Sequence, residues 1–150
     1  MNRRTLFGVL STTLLVPLGI GRASAADAKV HRLSIHVDQN DPAVMNLALG
    51  NAKNVYEYYH ERGEEVEIEI VAYSQGLHML RDDTSPVKDR IKELRALAKK
   101  TTFSACGNTK RNMEKTEGKP MTLISEARVV PSGVVRLVEL QEQAWSYLRP

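Results

Sequence analysis

One cysteine, Cys106, stands in 150 residues. No disulfide can close within the chain, and no second thiol is present to resolve a mixed one. Zinc is excluded on similar grounds, since His31, His60 and His78 fall at no ligand spacing and one cysteine cannot complete a site. The chain also lacks a Gly-rich phosphate loop, a serine-nucleophile elbow and a dinucleotide fingerprint, so no cofactor is expected. Acidic residues are missing from the first 22 positions, where Arg3, Arg4 and Arg22 lie. Those three arginines account for the whole formal net charge of +3. The rest of the chain is formally neutral, with lysines and glutamates interspersed, which removes the basis for nucleic-acid binding.

The chain begins with a leader. "MNRRTLFGVLSTTLLVPLGIGRASAADA" holds two adjacent arginines, an apolar run from Leu6 to Ile20, and the small-residue pattern Ala23-Ser24-Ala25. Together these are the three parts of a secretory signal, with cleavage expected after Ala25. The run is too short to span a bilayer and is broken by Pro17 and Gly19, which argues against a permanent membrane anchor. Arg3-Arg4 followed by Thr5, Leu6 and Phe7, with Ser11, Thr12 and Thr13 inside the run, resembles a twin-arginine export signal. The expected location is the periplasm, and the expected mature domain is residues 26–150.

Strands alternate with helices along that domain. "VHRLSIHV", residues 30–37, places Leu33, Ile35 and Val37 on one face and predicts a first strand. Asp41 as cap and Pro42 at the first position open a helix to Arg62, stopped by Gly63. A second strand is expected over Val66 to Tyr73. Its alternation with Glu67 and Glu69 predicts an edge strand or a protruding end. The apolar piece Leu77 to Leu80 exceeds what a turn needs, so Leu77, Met79 and Leu80 are expected at a subunit contact. A helix is expected next over residues 86–100, capped by Ser85, with Val87, Ile91, Leu94 and Ala98 inward. Then come a strand at 101–105, a polar helix at 107–117, a strand at 127–130, and a closing helix carrying Val134, Leu137, Val138, Trp145 and Leu148.

Strands joined through helices imply a single α/β domain in three layers, a mainly parallel sheet flanked by helices. Ligands bind such sheets beyond the carboxyl ends of the strands. "HVDQND", "YSQG", "ACGNT" and "VPSG" all fall there, which places Cys106 between a strand's end and a helix's start. Unpaired N–H groups and the helix dipole would favour its thiolate, the nucleophilic form. Asn108 and Thr109 would donate to a developing negative charge, and Gly107 would permit close approach. The competing reading is a small buried residue that ends a strand.

The neighbours divide similarly. Asp38 either acts as acid, base or metal ligand with Asp41, or caps a turn. His36 is expected to hydrogen-bond on the sheet face opposite Ile35 and Val37. Asn51 faces the pocket or its rim. Gln75 and Gly76 would offer backbone N–H groups near the thiol, and Ser132 caps the last helix.

"HVDQNDP", "NAKNVYEYY", "FSACGNT" and "VVPSGVVRLVELQEQAWSYLRP" together resemble the DsrE/DsrF-like family over residues 31–150. The resemblance implies a parallel α/β sheet and assembly as a homotrimer or homohexamer. In the family's sulfur carriers the cysteine matched by Cys106 takes up sulfur as a persulfide and hands it to a partner. That implies a sulfur donor and a sulfur acceptor, either proteins or small sulfur compounds. Those relays work in the cytoplasm, whereas this chain carries an export-like leader. Two functions stay open: a sulfur carrier or transferase, and a non-catalytic oligomeric protein that binds a small ligand in the same strand-end pocket.

Overall fold

A computed structural model describes residues 29–150; the expected leader and its cleavage point lie outside the described residues. The elements are β1 (Val30–Val37), α1 (Pro42–His60), β2 (Glu65–Ala72), a 3-10 segment (Ser74–Leu80), α2 (Lys88–Leu97), β3 (Thr101–Cys106), α3 (Gly107–Glu117), β4 (Ala127–Val130), α4 (Gly133–Glu142) and β5 (Ser146–Leu148). All strand pairs are parallel, in the order β4-β3-β2-β1-β5.

This order dictates which helix lies on which face. From β1 to β4 the chain steps across the sheet in one direction, so right-handed crossovers put their helices on a common side. The step from β4 back to β5 runs the other way, and α4 must cross the opposite face. Alternation within the strands matches this division. Ile35, Val37, Ile68, Ile70, Phe103 and Ala105 join one core with Met45, Ala48, Leu49 and Ala52 of α1 and Ile91 and Leu94 of α2. Met113 of α3 packs against the same core. On the other face Val71 meets Leu137 and Leu140 of α4, with Tyr73 and Trp145 beside them.

Caps explain most boundaries. Asp41 accepts from the Ala43 N–H at 2.7 Å, as the Asp-Pro pair predicts. Gly63 and Gly118 take left-handed φ values of 69° and 66° after α1 and α3. The Ser85 hydroxyl donates to the Met79 carbonyl at 2.5 Å, and α2 starts at Lys88, two residues later than expected.

Three expectations are corrected. The closing helix does not reach Leu148. Ala144 adopts φ 63°, its N–H bonds to the Gln141 carbonyl, and the Trp145 N–H bonds to the Leu140 carbonyl. That pair is a Schellman ending with alanine where glycine is usual, and it releases the chain into β5. Leu77, Met79 and Leu80 are each 0% exposed within this one chain, so they fill its own core rather than a subunit contact.

The third correction concerns β2, which is the central strand. Glu69 is buried among Ser104 at 2.6 Å, Arg136 at 2.8 Å and Arg128 at 2.9 Å. The buried carboxylate on an inner strand is tolerated because four donor bonds replace its water. Glu67, nearer the strand's start, pairs with Arg32 at 3.0 Å.

Burial alone would raise the Glu69 pKa, but the bonds from Arg136 and Ser104 and the charge of Arg128 outweigh it and hold the carboxyl below its ordinary range. A depressed folded-state pKa contributes stability above the unfolded value of about 4.3, lost as pH falls through the folded value. Glu69→Gln should therefore lower unfolding stability at neutral pH by about 3 kcal/mol and should not share the wild type's further loss in acid. Denaturant melts between neutral and acidic pH check this; equal stability of the two proteins at neutral pH would refute it.

Candidate functional site

β3 and β4 are neighbours, yet the helices that follow them leave for opposite faces: α3 joins the α1 side and α4 the other. Such a divergence opens a crevice at the strands' carboxyl ends, the place where open α/β sheets take ligands. Cys106, the last residue of β3, sits at its floor. Its Cα partner is Val130, the last residue of β4.

Cys106 occupies the N-cap of α3, a position usually held by a side-chain oxygen. Its Sγ accepts from the Thr109 N–H at 3.5 Å. Thr109 Oγ1 accepts from the Ser74 N–H at 3.0 Å, which leaves the Thr109 hydroxyl proton free to donate. Gly133, first residue of α4, packs against Cys106 from the other side: a Cβ on it would lie 3.2 Å from the Cys106 Cβ. The cysteine thus sits between two helix starts. Ser132 stands at the N-cap of α4, but its hydroxyl makes no capping bond, so the expected cap is corrected.

Cys106 is only 4% exposed. Burial pushes the thiol pKa up, but the Thr109 hydroxyl and the N–H groups of Thr109, Gly133 and Asn108 push it down further, and the result lies below the ordinary value. Gly133 is required by space: a Cβ there would lie 2.9 Å from the Cβ of Tyr73 and 3.2 Å from that of Cys106.

The remaining candidates divide. Gly107, Asn108 and Thr109 form the first turn of α3, as expected. The Asn108 side chain turns outward to Arg111. Gln75 and Thr109 line one groove of about 490 Å³ beside the thiol. Gly76 does not face that groove; a Cβ on it would lie 2.2 Å from the Val37 carbonyl oxygen, so its role is close backbone packing. Asn51 lies nine residues into α1, about 14 Å along its axis from Pro42, and takes no part in the crevice. Asp38 is ion-paired with Arg149 at 2.9 Å.

His36 lies on the predicted face and shares a 2.7 Å hydrogen bond between Nδ1 and the Tyr147 hydroxyl. Its buried Nε2 has no partner and stands 3.8 Å from Asp38. Burial lowers its pKa, with Asp38 opposing and Arg149 adding to the shift. Among the described residues no group of three His, Cys, Asp or Glu could hold a metal. Tyr73, stacked on His36 at 4.7 Å, has no signal in the local sequence pattern. Neither has the Glu69 cluster, nor Gly133 as a wall of the thiol site. Tyr73 was findable only as the residue level with Cys106 across β2.

A parallel α/β domain whose lone cysteine caps a helix at the crevice between diverging helices defines the class. The chain belongs to the DsrE/DsrF-like family, which matches it over residues 32–150. Among solved structures it is similar to MTH1491, a protein of unknown function from Methanobacterium thermoautotrophicum. The two are 34% identical with a TM-score of 0.68, and the match covers 80% of this chain and 99% of that one. No curated protein matches the chain.

The donors around Sγ make a direct test. Alkylation of Cys106 should rise with pH through a midpoint below the free-thiol value of about 8.5. Thr109→Val, which deletes the hydroxyl and keeps the N–H, should move that midpoint upward and slow alkylation several-fold at neutral pH. An unmoved midpoint would show that the hydroxyl does not act on the sulfur.

Proposed function

We propose that this protein is an exported sulfur carrier that holds sulfane sulfur on Cys106. The observation that carries the reading is the placement of Cys106 between the starts of α3 and α4, with the Thr109 N–H given to its Sγ and Gly133 packed against it. Membership in a family associated with sulfur relay supports it. The thiolate attacks the outer sulfur of a donor persulfide; one S–S bond forms at Cys106, the donor's S–S bond breaks, and the donor leaves as a thiolate. An acceptor thiolate then attacks the outer sulfur of Cys106 persulfide and releases the Cys106 thiolate, which the same N–H stabilises. No oxidant or reductant is consumed. Cys106 itself is the catalytic residue on this reading, and Thr109 supports it through its N–H; the Asn108 N–H, expected to do the same, is given to the Pro131 carbonyl at 3.3 Å.

The alternative is a non-catalytic oligomeric protein that binds a small ligand in the same pocket. The 4% exposure of Cys106 favours it. Arg3-Arg4, the apolar run and Ala23-Ser24-Ala25 support export to the periplasm by the twin-arginine route with cleavage after Ala25.

The apolar face left uncovered lies elsewhere than Leu77 to Leu80. Val134, Val135 and Val138 of α4 are 55%, 51% and 49% exposed, and Val129 at the sheet's edge is 56% exposed. The three exposed valines on one helix support a homotrimer or homohexamer built through α4.

One mass measurement on protein recovered from the periplasm reads both main features. The chain should begin at Ala26 and carry one or more added sulfur atoms on Cys106 after incubation with a sulfane donor. Cys106→Ser should fold, assemble and gain none. A thiol that stays unmodified and resists alkylation in the folded state would sink the carrier and leave the binding protein.

For assembly, light scattering of the mature protein should give a multiple of the protomer mass. Val134→Glu with Val138→Glu should reduce it to one protomer without unfolding. A wild-type monomer at micromolar concentration would overturn this.

A further inference from the structure

Beside the thiol runs a groove of about 490 Å³ between α3 and the 3-10 segment. Its α3 wall is Thr109, Asn112, Met113 and Thr116, spaced i, i+3, i+4 and i+7 on one helix face. That wall is about 10 Å long. Tyr73 and Gln75 form the facing side. Cys106 itself does not line the groove, but two residues of its inner end adjoin the thiol: Thr109 donates its N–H to Sγ, and the Tyr73 and Cys106 Cβ positions both crowd Gly133. Ser74, also in the wall, holds φ 51° without being glycine, and its N–H is fixed on Thr109 Oγ1. Backbone strain of this kind gathers at ligand clamps.

Charge decides what the groove accepts. Its one carboxylate, Glu117, is held by Arg81, and the histidine in its wall, His78, is bonded to Thr84 through Nδ1. No lysine or arginine lines it. The arginines around the other hollow near α4, Arg128 and Arg136, are committed to Glu69. A doubly charged inorganic oxyanion such as thiosulfate therefore finds no free cation in the groove. It meets instead the side-chain amides of Gln75 and Asn112, each able both to donate and to accept, and the Thr116 hydroxyl, whose proton goes to the Asn112 carbonyl and whose oxygen is left to accept; this is the pattern a peptide amide complements. Three extended residues also measure about 10 Å.

We infer that the groove binds the body of a small, amide-bearing thiol and presents its persulfide sulfur to Cys106. The inference rests on the sulfur-carrier reading and names its donor class. The transfer is Cys–S⁻ with R–S–SH giving Cys–S–SH and R–S⁻, in which the sulfane sulfur changes partner and no electron is gained or lost overall.

The probe is the persulfide of N-acetylcysteine N-methylamide, whose body carries two amides and no charge apart from the sulfur, set against inorganic polysulfide and thiosulfate. Sulfur gain on Cys106 is followed by mass spectrometry, with each donor's rate divided by its rate with a free reference thiol. The amide donor should lead in the wild type. Asn112→Ala with Thr116→Ala should cut its ratio over polysulfide by about tenfold, the effect of one or two hydrogen bonds. Lys115→Ala, on α3 but outside the groove, should not. Equal ratios in wild type and double variant would overturn the groove as the donor site.

A second arm uses the S-methyl analogue, which cannot transfer sulfur, and reads amide shifts of α3 by NMR. Binding without loading from any donor would keep the groove's ligand class and sink the carrier reading. Loading without binding would do the reverse.

Discussion

Glu69 joins four elements through one buried carboxylate: its own strand β2, Ser104 of β3, Arg128 of β4 and Arg136 of α4. Arg136 lies three residues beyond Gly133, about 4.5 Å along the helix. The clamp therefore holds the first turn of α4, the turn whose Gly133 packs against Cys106. α4 is the helix that crosses its face of the sheet, and Leu137 and Leu140 are its buried anchors there. Two leucines alone leave a helix free to slide or rotate on a sheet, since apolar contact has no direction. The bidentate arginine supplies that direction. The distance from the α4 start to the thiol is thus set by a charge buried several residues away from the chemistry.

The strand and helix order was legible because period-two and period-3.6 patterns are strong where the core is apolar. α3 and β4 begin and end where the residues predict, at Gly107, Glu117, Ala127 and Val130. The failures share a cause: a tertiary partner changed the meaning of a local signal. Glu69 reads as solvent-facing until Arg128 and Arg136 arrive from residues 59 and 67 positions later. Leu77, Met79 and Leu80 read as surplus until the 3-10 segment folds back under the strand ends, which Gly76 permits by lying against Val37. Trp145 and Leu148 keep helical spacing by coincidence, and the helix stop between them and Val138 has alanine in place of the usual glycine. With no glycine to mark it, β5 had no visible start.

The site was legible as far as topology reaches. The four strand ends converge by construction, so Cys106, Gln75, Thr109 and Ser132 fall near one another without any side-chain knowledge. Asn51 failed because facing a sheet and facing its carboxyl end are different properties, separated here by about 14 Å of helix. The ion pair of Asp38 could not be seen because its partner, Arg149, follows the unexpected β5. Tyr73 and Gly133 were invisible as site walls for a further reason. Their roles come from mutual distance, 2.9 Å from the missing Cβ of one to the Cβ of the other, and distance across a sheet has no local signature.

A lowered thiol pKa acts on two steps in opposite senses. It raises the thiolate fraction near neutral pH but reduces the nucleophilicity of each thiolate, by a Brønsted slope of about 0.4–0.5. As a leaving group the same sulfur improves, because the N–H that stabilises it is already in place. On the carrier reading uptake is therefore moderated while release is favoured. Burial adds to this. A thiol 4% exposed is shielded from bulk oxidants and mixed disulfides, whereas a persulfide extends the reactive atom outward by one S–S bond of about 2 Å. On the carrier reading the loaded form is then the more accessible one, and the empty thiol is the form that must be reached by its donor through the protein's own surface.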